Sequence, residues 1–210
     1  MKTLRILLLF AVSFSLMTAC EKEKFTPADD ASGDAELVTR AHKGPKTKIY
    51  TAELGMLNMS GAMATVTVAD NPDGSLTVMV EASGLEANMV HPQHIHGFAD
   101  NTRPAVCPDE SADTNEDGII DLGEGVPFYG GVLLSLTDEE GNFPMADENG
   151  DLMYERTFSA EMVSSLKVLQ NREIVLHGGT VMDEYWPTLP VACGSLGTPD
   201  IYPVGASGRR

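Results

Sequence analysis

The strongest constraint on the fold of this chain is a pair of short segments joined by a tight turn. Residues 61–69 and 75–83 are rich in Val, Thr, Met and Ala, and they flank the turn Asn71-Pro72-Asp73-Gly74. In the second segment, apolar side chains occupy every other position from Leu76 to Val80. Alternation with a period of two around such a turn is typical of a β-hairpin with one buried face.

Further segments of the same kind predict the remaining strands, at 48–57, 91–97, 132–136, 152–158, 173–177 and 191–196. About eight short strands with turn residues between them and little helix predict an all-β domain, either an antiparallel sandwich or a barrel. A chain of 210 residues suffices for one domain with a full core, which we expect to span residues 46–197.

Residues 1–19 have the pattern of an export signal. Two cations, Lys2 and Arg5, precede an apolar run over 6–17 that ends shortly before Cys20, and this run is too short to span a bilayer. It resembles a bacterial lipoprotein signal, in which Cys20 becomes the first mature residue and carries a lipid anchor. The alternative is an ordinary cleaved signal with Cys20 as a free thiol. We expect an exported protein anchored to a bacterial membrane, at the outer membrane, on the periplasmic side or at the cell surface.

The segments on either side of the predicted domain are polar and lack periodicity. Residues 20–45 predict a flexible acidic tether, and residues 198–210 predict a loose tail. Removal of residues 1–19 would change the formal net charge from −17 to −19, because Lys2 and Arg5 lie there and no acidic residue does. A surface of that charge repels nucleic acid, so no nucleic-acid partner is expected, and it tolerates cations.

Three cysteines limit the possible crosslinks. If Cys20 is lipidated, Cys107 and Cys193 remain, and two remaining cysteines in an exported protein are most simply a disulfide. Such a bond would close a long loop, which stabilises a fold by about 4–5 kcal/mol in the chain-entropy description.

Three of the five histidines lie within the heptapeptide His-Pro-Gln-His-Ile-His-Gly at 91–97. His94 and His96 are two residues apart in a predicted strand, so their side chains share a face. Two neutral imidazoles are half of a site for copper, zinc, nickel or iron; the alternative is a pair of polar residues on a solvated face. A further ligand must come from a distant segment, and His177 is the remaining histidine of the predicted domain.

From about residue 49 to 196 the order of segments resembles copper–zinc superoxide dismutase. The matching positions are Gly84-Leu85, His91, His94, His96, Gly97-Phe98, Asp100, Cys107, Val175-Leu176-His177 and Val191-Ala192-Cys193-Gly194. The resemblance implies a Greek-key barrel of eight strands, a disulfide between Cys107 and Cys193, and copper held by three imidazoles, those of His94, His96 and His177. His91 would match a buried histidine that braces the site without binding the metal.

The chain departs from that family in two ways that bear on function. Between Cys107 and Leu176 it has no histidine, so neither the bridging histidine nor a zinc site is expected. The position of the family's anion-guiding Arg holds Pro190. Because superoxide is an anion, loss of this cation from an acidic chain removes the electrostatic steering of the substrate.

In place of the zinc loop stands a twelve-residue acidic loop at 113–124. It has the spacing of a calcium-binding loop, with Gly118 at the turn position. The predicted calcium ligands are Asp113, Asn115, Asp117, the Ile119 carbonyl, Asp121 and Glu124. Prolines and Gly125 near the loop predict that its flanks are not EF-hand helices. The alternative is an acidic loop that binds no specific ion.

Three hypotheses for function follow from these patterns. The first is a membrane-anchored copper protein with redox activity, of which dismutation is one form. The second is a non-catalytic lipoprotein that buffers or delivers copper, and the third is a calcium-ordered surface or adhesion domain without copper. These patterns are compatible with an enzyme and with a non-catalytic protein. Tyr185 and Trp186 either line the metal pocket or pack the loop that carries them.

Overall fold

The computed structural model describes residues 45–166 and 168–203, which fold into nine strands and one short α-helix. The strands are β1 (Lys46–Met56), β2 (Met63–Asp70), β3 (Leu76–Ser83), β4 (Gln93–Gly97), β5 (Gly131–Ser135), β6 (Leu152–Phe158), β7 (Glu173–Val181), β8 (Glu184–Ser195) and β9 (Asp200–Pro203). Helix α1 (Leu122–Tyr129) lies between β4 and β5. The predicted signal, Cys20 and nearly all of the tether lie outside the described residues, and no described helix is long and apolar enough to cross a membrane.

All strand pairings are antiparallel, and their order is that of a Greek-key sandwich. One sheet contains β1, β2, β3 and β6, and the other contains β5, β4, β7 and β8. The two sheets meet where β1 pairs briefly with β8 at Gly55 and Met56. Strand β6 returns to β3 and β7 returns to β4, and these non-sequential pairings are the crossovers of a Greek key. The all-β prediction is confirmed.

The core lies between the inner faces of the two sheets. In the β2–β3 hairpin, Val66 pairs with Val80 and Val68 with Val78, and all four are fully buried. Ile95, Ile174 and Leu176 are equally buried in the other sheet, as part of the same core. In the β2–β3 hairpin the intervening positions are half-buried or exposed, so strand alternation separates core from surface there. In β7 every residue from Glu173 to Gly178 is buried, so both faces of that strand are covered.

The expected loose tail at 198–210 is wrong for Asp200–Pro203, which form β9. This strand pairs with the first part of β1, from Lys46 to Ile49. The edge of β1 beyond its short pairing with β8 would otherwise present unpaired backbone amides and carbonyls, and β9 satisfies them. The β domain therefore extends to residue 203.

The disulfide between Cys107 and Cys193 is confirmed. It ties the long connection after β4 to β8, with the two Cα atoms 5.8 Å apart. The cystine packs with Tyr129 and Val175 in a small apolar cluster outside the main core. The connection that carries the acidic loop is thus fixed to the outer side of the second sheet.

The acidic loop leads directly into a short helix, because α1 begins within it. Asp121 caps the helix by accepting from the amide of Glu124, whose side chain in turn accepts from the amide of Asp121. This capping box stabilises the first turn. Pro127 lies inside the helix, but in eight residues its missing amide removes a single hydrogen bond, so the proline does not prevent the helix from forming.

Candidate metal centre

Strands β4 and β7 bring together the three histidines that the sequence singled out, which we call the imidazole cluster. His94 and His96 lie on β4, and His177 lies on the neighbouring β7 at an irregularity in its pairing with β8. Each contributes a ring nitrogen, and these atoms lie within 4.8 Å of one another. The His94 and His177 ring centroids are 5.2 Å apart. His96 and His177 are buried, and His94 is half-buried.

Two of the three rings are oriented by backbone carbonyls. His96 Nδ1 lies 3.0 Å from the carbonyl oxygen of Gly130, and His177 Nδ1 lies 3.0 Å from that of Thr188. Since a carbonyl can only accept, each Nδ1 carries the hydrogen and each Nε2 has a free lone pair. Carbonyl partners of this kind fix the ring orientation of metal-binding histidines.

The remaining ring nitrogens have no partner within the described part of the chain. His94 Nδ1, His96 Nε2 and His177 Nε2 are all buried, and none forms a hydrogen bond. Buried polar atoms without a partner are uncommon and energetically unfavourable. Three that converge on one point fit a metal ion that accepts a lone pair from each.

The environment of the cluster keeps the imidazoles neutral. Burial, and after it repulsion from His177 and His96, lowers the pKa of His94 to about 3. Burial lowers the pKa of His96 to about 4 against the opposing effect of the Gly130 carbonyl. The pKa of His177 also falls to about 4, through burial and then through His96. At neutral pH all three are free bases, the form that binds transition metals.

One side of the cluster is more open than the others. His94 is half-buried and packs edge to face against Phe143, with 5.2 Å between ring centroids. Pro190 pairs directly with His177 across β7 and β8. The more exposed side of the cluster is therefore the side of His94, where an aromatic ring packs against it.

His91 lies beside the cluster and contacts the backbone through both ring nitrogens. Nδ1 is 3.0 Å from the carbonyl oxygen of His177, and Nε2 is 3.0 Å from that of Glu86. It therefore connects β7 to the connection before β4. Tyr185 packs edge to face on His91 and donates to the carbonyl of Val90, so it secures this connection.

Sequence reasoning missed the residues at the end of α1 that adjoin His96. The Tyr129 ring lies 4.7 Å from the His96 ring, and its hydroxyl is buried without a partner in the described structure. The next residue, Gly130, supplies the carbonyl that orients His96. Gly130 has a φ of 81°, and a Cβ there would meet the Gly97 carbonyl oxygen at 2.4 Å. The sequence signal for these residues was a helix-capping pattern whose helix ends at Tyr129-Gly130.

The acidic loop is organised by its own backbone amides. Asp113 accepts from the amide of Gly118, and Glu124 accepts from that of Thr114, each at 2.8 Å. Gly118 has a φ of 84°, as a tight turn there requires. Within 45–166 and 168–203, no three acidic side chains of this loop bring oxygens within 4.8 Å of one another. The same loop contains the other predicted ligands, Asn115, Asp117 and Ile119, and Asp121 caps α1. Calcium binding by this loop stays a prediction.

A second set of ligand atoms, which the sequence did not reveal, lies at the disulfide. Glu173 is only 1% exposed, and its Oε2 lies 3.1 Å from Cys107 Sγ and 3.7 Å from Cys193 Sγ. Ser195 Oγ donates to the other carboxylate oxygen at 2.6 Å. Burial raises the pKa of Glu173 to about 7, against a smaller lowering effect of Ser195. We call these three ligands the sulfur–carboxyl group.

Comparison by sequence gives no relative for this chain: no family model matches it, and no curated protein matches it. Among solved structures, it is similar to superoxide dismutase 5 of Candida albicans in a Glu-to-Gln mutant form. The identity is 16% and the TM-score 0.41, over 80% of this chain and 99% of that one. These values do not establish membership of a family.

Proposed function

We propose that this protein is an exported, membrane-anchored copper-binding protein whose ion is held by His94, His96 and His177. The observation that carries the proposal is the convergence of three buried ring nitrogens that have no hydrogen-bond partner in the described structure. Their neutral state at physiological pH and the carbonyls behind His96 and His177 suit this role. Copper is favoured because imidazole nitrogens bind it more strongly than the other divalent first-row metals.

Bound copper would supply one-electron redox chemistry. The residues of the chain would hold it with three nitrogens and leave one position toward the half-buried side at His94. The orientation of His96 and His177 depends on the carbonyls of Gly130 and Thr188, which keep Nε2 directed at the ion. The Phe143 ring packs against His94 on this side.

Storage or delivery of copper without turnover is the second candidate, and one observation favours it over dismutation. Pro190 pairs with His177 where a guiding cation would be needed, and the chain carries a formal net charge of −17. An anionic substrate would be repelled by such a protein rather than steered to it.

Two further parts of the proposal concern regions outside the imidazole cluster. The acidic loop would bind calcium weakly, as extracellular calcium modules do, and so order the connection between β4 and β5. Cys20 would carry the lipid that holds the protein at a bacterial membrane, with residues 20–45 as the tether. The spacing of residues 113–124 and the pattern of residues 1–20 support these parts.

The test is to count copper in the exported protein after loading and dialysis. We expect about one copper per chain for the wild type and none for the His94→Ala, His177→Ala double variant. A His42→Ala variant is the matched control, since it removes a histidine outside the proposed site, and it should retain the ion. If wild type and double variant both lack copper while calcium is retained, the copper proposal fails and the calcium-ordered surface domain replaces it. With copper bound, a superoxide assay separates an enzyme from a storage protein.

A further inference from the structure

The sulfur–carboxyl group contains a carboxylate whose position the disulfide does not explain. Glu173 is fully buried, and within the described residues no cationic side chain pairs with it. Its polar neighbours are the two cystine sulfurs and the hydroxyl of Ser195. A disulfide sulfur is a poor partner for a carboxylate, and buried charges in proteins are normally paired with cations or bound to metal ions.

Once the disulfide is reduced, the sulfur–carboxyl group offers a set of ligands that is common at metal sites. Two thiolates and one carboxylate suit a borderline cation such as zinc, which takes sulfur and oxygen ligands in a tetrahedral site. The Cα atoms of Cys107 and Cys193 are 5.8 Å apart, so rotation about the Cα–Cβ bonds can separate the sulfurs around an ion. Ser195 already holds one carboxylate oxygen, which leaves Oε2 directed at the sulfurs.

We propose that the reduced chain has a second metal site, formed by Cys107, Cys193 and Glu173, which binds a divalent cation of the zinc class and which formation of the disulfide abolishes. A dithiol reductant would transfer two electrons to the cystine, break its sulfur–sulfur bond and itself become a disulfide. Each protein thiol then releases a proton when it binds the ion. Because Cys107 is only partly buried, the fourth position faces solvent and can hold water.

This site is distinct from the imidazole cluster, although it lies on the same sheet. Cys193 on β8 pairs with Val175 on β7, and Val175 pairs with His94 on β4. Glu173 on β7 and His96 on β4 are direct cross-strand partners, so the two sites are neighbours on this sheet, but they share no ligand. Metal binding at one does not require the ligands of the other.

Cobalt(II) is a suitable probe, because thiolate ligands give it a near-ultraviolet charge-transfer absorption that imidazoles do not. For the wild type reduced with a phosphine, we expect this absorption to saturate at one thiolate-bound cobalt per chain, in addition to any cobalt held by the imidazole cluster. The oxidised protein should lack the absorption. Glu173→Gln should weaken cobalt binding in the reduced state at least tenfold. Glu184→Gln, which removes an exposed carboxylate from the same sheet, is the matched control and should bind like the wild type.

The proposal is overturned if reduction produces no thiolate absorption, or if Glu173→Gln binds cobalt as tightly as the control. Near-ultraviolet circular dichroism follows the fold in parallel. If reduction alone loosens the structure, cobalt or zinc should restore the native spectrum of the wild type but not of Glu173→Gln, and failure to restore it also overturns the proposal.

Discussion

Replacement of Glu173 by Gln should make the protein more stable at alkaline pH than the wild type, by an amount that depends on pH. Burial raises the pKa of this carboxyl from 4.5 to about 7, so between these values the folded state binds the proton that the unfolded state has released. Stability from this group is complete below pH 4.5 and is lost as the pH rises through 7. Gln keeps the shape and can accept from Ser195, but it does not ionise.

The magnitude follows from the two pKa values. Each unit of difference between the folded-state and unfolded-state pKa corresponds to about 1.4 kcal/mol. Ionisation of Glu173 therefore destabilises the fold by roughly 3 kcal/mol at high pH. Between pH 5 and pH 8 the unfolding free energy of the wild type should fall by about 2.5 kcal/mol relative to that of the variant. Effects of the histidines and other groups cancel in this comparison because both proteins contain them.

The assay is urea unfolding of the metal-free, disulfide-bonded proteins at pH 5, 6.5 and 8. Glu184→Gln serves as the control, since an exposed carboxylate should show no such trend. A difference between wild type and Glu173→Gln that stays constant within about 0.5 kcal/mol across this range would refute the view that Glu173 is a buried carboxyl without a charge partner.

Three other changes test the surroundings of the cluster. Copper affinity measured by competition with a chelator should change less than about tenfold between pH 5.5 and 7.5, because the site imidazoles are already neutral in this range. The metal-free protein should lose stability as the pH falls below 6.5, where the histidines of the unfolded chain take up protons. Tyr129→Phe should raise the unfolding free energy by about 1 kcal/mol in urea titration, because it removes a buried hydroxyl that has no partner in the described structure. Gly130→Ala should lower the unfolding free energy by more than about 2 kcal/mol and weaken copper binding. The added Cβ would meet the Gly97 carbonyl and so displace the Gly130 carbonyl, which orients His96. Normal copper affinity in this variant would contradict the role given to the Gly130 carbonyl.

The strands of the first sheet were predictable because their side chains alternate. Most strand ends in both sheets agree within two residues with the sequence pattern. The full length of the β7–β8 hairpin was not predictable from the sequence. Its turn residues Met182 and Asp183 adopt positive φ values of 49° and 66°, but the turn lacks the Asn or Gly that usually signals such a conformation. Strand β9 was missed because four residues with a terminal proline carry too little pattern, and its formation depends on the free edge of β1.

The histidines of the candidate site were predictable from spacing and resemblance, but their surroundings were not. An acidic residue at the start of a strand ordinarily faces water, so nothing in the local sequence marks Glu173 as buried. Its burial depends on Cys107 and Ser195, which come from other parts of the chain. The same holds for Tyr129, whose contact with His96 arises only when α1 packs against the second sheet.

The crossover that pairs β4 with β7 gives the imidazole cluster a place in the folding of the chain. His96 and His177 become neighbours only after a long intervening segment has been closed, which is the entropically demanding step of Greek-key assembly. An ion that requires both therefore binds late, and it adds to the native state alone about 2.7 kcal/mol at a free concentration one hundred times its Kd. Metal binding followed during refolding should therefore report when the second sheet closes.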